Sequence, residues 1–167
     1  FSQEGEDMIL SQLCYGIENG LFIDIGAYHP IKYSNTYKFY LHGWRGINID
    51  AMPNSMLEFI KLRPRDTNLE IGISDKSQVL NYYIFKESGL NTFSEIAANK
   101  YMISGHQMDK RISIKTETLS EVLERYLSNN SIINFMSIDT EGYELEVLLS
   151  NNWSKFRPEI VVIESLQ

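Results

Sequence analysis

The chain has 167 residues, 43% hydrophobic and 22% charged, with a formal net charge of −7, figures ordinary for one globular domain with a sizeable core. The acidic balance excludes a nucleic-acid surface built on clustered Lys and Arg, and no apolar run approaches the ~20 residues of a membrane span. A single cysteine, Cys14, excludes an internal disulfide and points to a reducing, cytoplasmic setting. No signal peptide is visible; the chain opens on Phe1, which leaves room for a native extension before it.

Glu4 to Asn19 reads as a helix, with Ile9, Leu13 and Ile17 as a core-facing stripe that Leu10 and Cys14 widen. Its first turn carries Glu4, Glu6 and Asp7, which suits a helix N-terminus. Leu21 to Ile25 reads as a buried parallel strand, interrupted by the acid Asp24 near its carboxyl end. Gly26 follows, where the chain turns and a ligand can approach bare backbone. Ser34-Asn35-Thr36 supplies N-cap candidates for a helix through Leu41. Gly46 to Asp50 is a second apolar run ending in an acid. Pro53 is placed as the first residue of a helix to about Leu62, with Met56, Leu57 and Ile60 inward. Lys61, Arg63 and Arg65 beside Asp66 read as a solvated helix end.

Asn68 to Ile73 reads as a third strand, with Ser74 and Asp75 at its carboxyl end. Val79 to Phe85 is the next strand, and Asp75 to Gln78 suggests a hairpin between the two at the sheet edge. Leu90 to Phe93 reads as a loop, Ser94 to Ser104 as a helix and Arg111 to Thr116 as a half-buried strand. Thr118 and Glu121 form a capping-box pair opening a helix to about Leu127. Ile132 to Asp139 is a further strand, followed by Thr140-Glu141-Gly142 and a helix from Tyr143 to Leu149. Glu159 to Glu164, β-branched at Ile160-Val161-Val162-Ile163, reads as a last strand buried on both faces. The alternation predicts a single α/β domain over residues 1–167 built on a doubly wound, mostly parallel sheet.

Asp24, Asp50 and Asp139 then stand at the carboxyl ends of parallel strands, along the sheet edge where open α/β folds bind ligands. A buried acid is costly unless it is paired, so Asp24 calls for a cationic or hydroxyl-bearing partner. The same residues carry a resemblance. Ser2-Gln3-Glu4-Gly5-Glu6-Asp7, Phe22-Ile23-Asp24-Ile25-Gly26-Ala27, Ser34-Asn35-Thr36, Gly43 to Ala51 and Ser137-Ile138-Asp139-Thr140-Glu141-Gly142-Tyr143-Glu144 occur in the order found in the FkbM family of S-adenosylmethionine-dependent methyltransferases. The resemblance covers nearly the whole chain. Related folds end with an additional antiparallel strand pair, whereas this chain stops at Gln167. Two readings follow, a truncated end or an abbreviated fold.

The resemblance implies a Rossmann-like domain that binds S-adenosylmethionine and methylates a hydroxyl of a sugar, glycan precursor or natural product. It assigns Asp24, Gly26 and Ala27 to the amino-acid end of the cofactor and Asp50 with Ala51 to the ribose. Ser74 and Asp75 would face the adenine, and Asp139 and Glu141 the methyl and the acceptor. Glu141, Asp139 and His29 are candidate bases, with His106 a further one; His42 reads as structural. Asp139 and Glu141 alone offer too few oxygens for a hard divalent cation, which takes about six, so no metal is expected. Two other classes fit the fold. A nicotinamide-dependent oxidoreductase would need G-x-G-x-x-G, but Gly26 is followed by Ala27-Tyr28-His29. A non-catalytic binding module would keep the fold without the chemistry.

Overall fold

The computed structural model describes residues 2–3, 5–128 and 130–164; Glu4 and Gln167 lie outside them. The strands are β1 (Leu21–Ile25), β2 (Arg45–Asp50), β3 (Thr67–Glu70), β4 (Gly72–Ile73), β5 (Gln78–Phe85), β6 (Met108–Glu117), β7 (Phe135–Ile138) and β8 (Ile160–Ile163). The helices are α1 (Glu6–Leu13), α2 (Tyr37–Leu41), α3 (Met56–Leu62), α4 (Glu95–Ile103), α5 (Leu119–Tyr126) and α6 (Glu144–Leu149). A five-stranded sheet in the order β3-β2-β1-β7-β8 is parallel throughout. This is the predicted α/β fold, with helices returning the chain between parallel strands.

Side-chain alternation along β1 explains both faces of the sheet. Ile23 and Ile25 join Ile47, Ile49, Met136 and Ile138 in a core packed on Leu119, Val122, Leu123 and Val147. Phe22 points the other way, into a cluster with Leu10, Phe39, Trp44 and Phe135. Asp24 shares that second face, and the register sets Asn48 and Ser137 on either side of it. A polar row therefore crosses the middle of the sheet beneath the segment that carries Ser34, Asn35 and Thr36.

Several sequence expectations change. The expected third strand breaks at Ile71, whose N–H donates to the Asp50 carbonyl. Beyond it, β4 leaves the main sheet and pairs with β6 in a separate three-stranded sheet ordered β4-β6-β5. Gly72 permits the crossing: a Cβ there would stand 2.7 Å from the Phe93 ring and 2.9 Å from the Thr116 methyl. The expected hairpin does not form, because β6 inserts between the two runs, parallel to β4 and antiparallel to β5. α1 starts after Gly5 and ends at Leu13, and it buries Leu10 and Asp7 while Ile9 and Leu13 are 62% and 61% exposed. In α3, Met56 and Phe59 face inward and Leu57 and Ile60 outward, and Pro53 stands in the turn before the helix. β8 is the last strand of the sheet, so Val161 and Ile163 stay partly exposed instead of buried on both faces. The capping box at Thr118 and Glu121 forms as predicted.

Candidate active site

The carboxyl ends of β1, β2, β7 and β8 open into a cavity of about 970 Å³. Gln3 and Glu6 line it, as do Tyr82 of the second sheet and Asn91 and Phe93 from the segment after β5. The rings of Tyr82 and Phe93 lie 4.6 Å apart. No Lys or Arg lines the cavity among the described residues.

Gly26 turns the chain at φ 78°, and a Cβ there would overlap the Asp139 carbonyl oxygen. The bare backbone thus admits β7's own exit instead of a ligand. The N–H groups of Gly26 and Ala27 both donate to the Ile49 carbonyl, at 2.9 and 3.1 Å, so neither is left to grip a cofactor. Asp24 is 6% exposed and lines the cavity; its Oδ2 accepts from the Thr36 hydroxyl at 2.7 Å. The hydroxyl partner it calls for is thus supplied by the protein. Asp50 accepts from the Tyr28 N–H at 2.9 Å and the Met52 N–H at 2.8 Å, tying together the loops after β1 and β2. Burial raises the pKa of both acids, against the hydrogen bonds each accepts. Ala51 lines the cavity beside Asp50.

Ser74 and Asp75 lie outside this cavity. Ser74 is buried against Tyr143, its hydroxyl 3.0 Å from the Tyr143 hydroxyl, and Asp75 accepts from Ser74 at 3.0 Å. The break at Ile71 carries both into the second sheet, so they do not face the position expected for an adenine. His29 reaches the cavity, but its Nδ1 accepts from the backbone N–H groups of Ile31 and Lys32, both at 3.0 Å. A backbone N–H can only donate, so the ring proton of the neutral imidazole sits on Nε2, 3.3 Å from Glu58. Its one acceptor is occupied, and His29 is a loop brace, not a base. His106 pairs with Glu87 outside the cavity, and His42 closes α2 on the Lys38 carbonyl.

Asp139 and Glu141 converge as expected, and a third acid joins them. Carboxylate oxygens of Asp139, Glu141 and Glu164 lie within 4.8 Å of one another, an arrangement that could hold a cation. Glu164 extends the strand-end pattern one strand further along, after β8; the same offset from an apolar run marks it in the sequence. Glu141 sits at φ 54°. Its carbonyl accepts from the Thr92 hydroxyl at 2.8 Å, and its Oε2 from the Tyr101 hydroxyl at 2.5 Å. Glu144 holds the turn beneath it by accepting from the N–H groups of Thr140 and Gly142, both at 3.0 Å. Glu141 therefore does not cap α6; the acid three residues on anchors the loop, which frees Glu141 to face the cavity.

Desolvation, opposed by the Tyr101 bond and reinforced by Glu164 and Glu144, pushes the Glu141 carboxyl up to about 7. Desolvation and its hydrogen bond with Glu164 raise Asp139 well above the ordinary carboxylate range. Asp139 opens onto the cavity, so water screens part of this effect. A carboxyl poised near 7 in a cleft is suited to taking a proton from a hydroxyl. Neither Tyr101 nor Thr92 carried a sequence signal, since each lies at least forty residues from Glu141.

Comparison with known families places residues 24–167 in the Methyltransferase FkbM domain. A crystal structure of a methyltransferase FkbM from Methylobacillus flagellatus KT superposes with a TM-score of 0.55 at 10% identity. The match covers 96% of this chain and 37% of that one, so the chain spans well under half the length of that relative and shares its fold. No curated protein sequence matches.

Proposed function

The chain belongs to the FkbM methyltransferase family, and from that premise we propose an S-adenosylmethionine-dependent O-methyltransferase acting on a hydroxyl of a glycan, sugar or natural product. The carrying observation is Glu141, raised to about 7 beside Asp139 and Glu164 in the cleft at the strand ends. The cavity suits the cofactor: the Asp24 and Asp50 carboxyl groups offer acceptors to an ammonium and to ribose hydroxyls, and Met52 and Ile71 supply apolar wall for an adenine. When bound, S-adenosylmethionine supplies a methyl group on a sulfonium centre.

The remaining chemistry belongs to the chain. Glu141 accepts the proton of the acceptor hydroxyl as that oxygen becomes a nucleophile. Tyr101 and Thr92 hold Glu141 from two sides, so its carboxylate is aimed before the acceptor arrives. Asp139 and Glu164 stand beside Glu141 at the transfer end of the cleft, their oxygens within 4.8 Å of its own. Tyr82 and Phe93, their ring planes 46° apart, offer aromatic surface to a sugar ring, with Asn91 also lining the cavity. A wall without Lys or Arg among the described residues favours acceptors that carry no phosphate or carboxylate.

Calorimetry with S-adenosylmethionine, S-adenosylhomocysteine and NAD tests the cofactor. S-adenosylhomocysteine release over a panel of neutral and anionic glycosides then tests the reaction. Binding of NAD alone would overturn the proposal; cofactor binding without turnover on any acceptor would favour a binding module.

A further inference from the structure

The polar row behind β1 leads from the cleft to a residue that the sequence places at a solvated helix end. Arg63 is 0% exposed. Its Nε donates to Asp66 Oδ2 at 2.8 Å. Its guanidinium lies 5.3 Å from the ring centroids of Phe22 and Tyr40 and 5.5 Å from that of Phe59. A cation so placed must be paired, and Asp66 is enough for that. Arg63 Nη1 also donates to Thr36 Oγ1 at 3.0 Å and reaches the Ser34 hydroxyl oxygen at 3.5 Å, while Nη2 is buried without a partner.

Proton counting gives the contact with Thr36 a direction. The Ser34 hydroxyl already accepts from the N–H groups of Thr36 and Tyr37, at 3.3 and 3.1 Å. Its own hydrogen is free for Thr36, 3.2 Å away. Thr36 Oγ1 then accepts from Ser34 and Arg63, and its single hydrogen has one destination, Asp24 Oδ2 at 2.7 Å. Asp24 needs such support. Asp66 and Asp50 act on it as like charges, and Arg63 is the cation that opposes them.

We propose that Arg63, acting through Thr36, is a positioning residue that favours the carboxylate form of Asp24 and leaves its second oxygen to the cleft, where it receives the ammonium group of the cofactor's amino-acid end. This rests on the cofactor reading above. The Ser34-Asn35-Thr36 segment thereby acquires a role. Asn35 pins the loop to Ser137 at 3.0 Å, and Thr36 carries the influence of Arg63 across to Asp24.

The test compares the unaltered protein with Thr36→Val, Thr36→Ser and Arg63→Lys. The Asp24 carboxyl is titrated by carbon NMR in the ligand-free protein. Affinities for S-adenosylhomocysteine, which carries the ammonium, and for methylthioadenosine, which lacks it, are measured by calorimetry from about pH 6 to about pH 9. In Thr36→Val the Asp24 midpoint is expected to rise by about one pH unit or more. Affinity for S-adenosylhomocysteine should fall about tenfold near neutrality and recover as pH rises, with methylthioadenosine unchanged. Thr36→Ser restores both readouts. Arg63→Lys, which keeps charge but loses the planar fork, should lie between. If Thr36→Val leaves the Asp24 titration and the ratio of the two affinities unchanged, the relay is refuted, whatever happens to the unfolding midpoint. If the unaltered protein binds neither compound, the cofactor reading fails and the ammonium assignment falls with it.

Discussion

On the α3 side of β1 each acid has a donor, although Arg63 Nη2 and Asn48 Oδ1 are buried without hydrogen-bond partners. Asp66 accepts from the Gly46 N–H, the Asn48 amide and Arg63, and Asp24 accepts from Thr36. A buried cation stands between the two carboxylates. Across the cleft, Asp139, Glu141 and Glu164 gather within 4.8 Å, with the Tyr101 hydroxyl as donor to Glu141 and no Lys or Arg lining the cavity among the described residues. A buried network whose carboxylates are paired holds one arrangement of the chain. A crowd of acids holds protons at a pH where acids normally release them, and that is a poised chemical state. The two regions share one sheet edge, so the difference lies in partners and not in fold.

Arg63→Met should separate the regions most sharply. It removes the cation between two buried acids, so a loss of about 3–5 kcal/mol in urea unfolding is expected, whereas Glu141→Gln should cost little stability. Equal losses in the two variants would erase the contrast.

Glu141→Gln should instead lower turnover at least ~100-fold while preserving cofactor affinity. In the unaltered protein, turnover should rise with pH through about 7 as Glu141 ionises. Tyr101→Phe removes a donor to the ionised form and should shift that midpoint upward. A midpoint unmoved in Tyr101→Phe would detach Tyr101 from the site.

Asp50→Ala is the intermediate case, because Asp50 lines the cavity yet bonds two backbone N–H groups. Lost charge-assisted bonds of roughly 1.5–3 kcal/mol should weaken cofactor binding about tenfold to over a hundredfold. The two loop N–H groups left without partners should also lower the unfolding midpoint measurably.

The smallest effect is on stability against pH. The folded state raises Glu141 above its ordinary value near ~4.3, so it binds the proton more tightly than the unfolded chain does. That contribution is fully present below about 4.3 and is lost as pH rises through about 7. After screening it amounts to about 1 kcal/mol. Glu141→Gln should flatten the stability curve over that window, and an unchanged slope would show Glu141 to be unperturbed.

The parallel strands, the capping box at Thr118 and the strand-end acids were legible in the sequence because each is a local pattern: a short apolar run, an N-cap pair, an acid at or beside the end of an apolar run. Glu164 follows the same pattern at the end of β8. Where the sequence misled, the deciding contact was distant. Arg63 looks solvated beside Lys61 and Arg65, and only the packing of Phe22, Tyr40 and Phe59 around it makes it a core cation. Ser74 and Asp75 follow what looks like a continuous strand, and only the competition of β6 for β4 removes them from the cleft. His29 lost its role as a base to two backbone N–H groups that no spacing rule foresees.

The order of apolar runs by itself determined a parallel α/β sheet with acids along one edge, since burial and strand period act over a few residues. Which of those acids are neutralised and which are left facing one another was decided by tertiary structure, because partners such as Arg63, Thr36, Tyr101 and Glu164 arrive from far along the chain, and a carboxylate's charge is set by what packs against it.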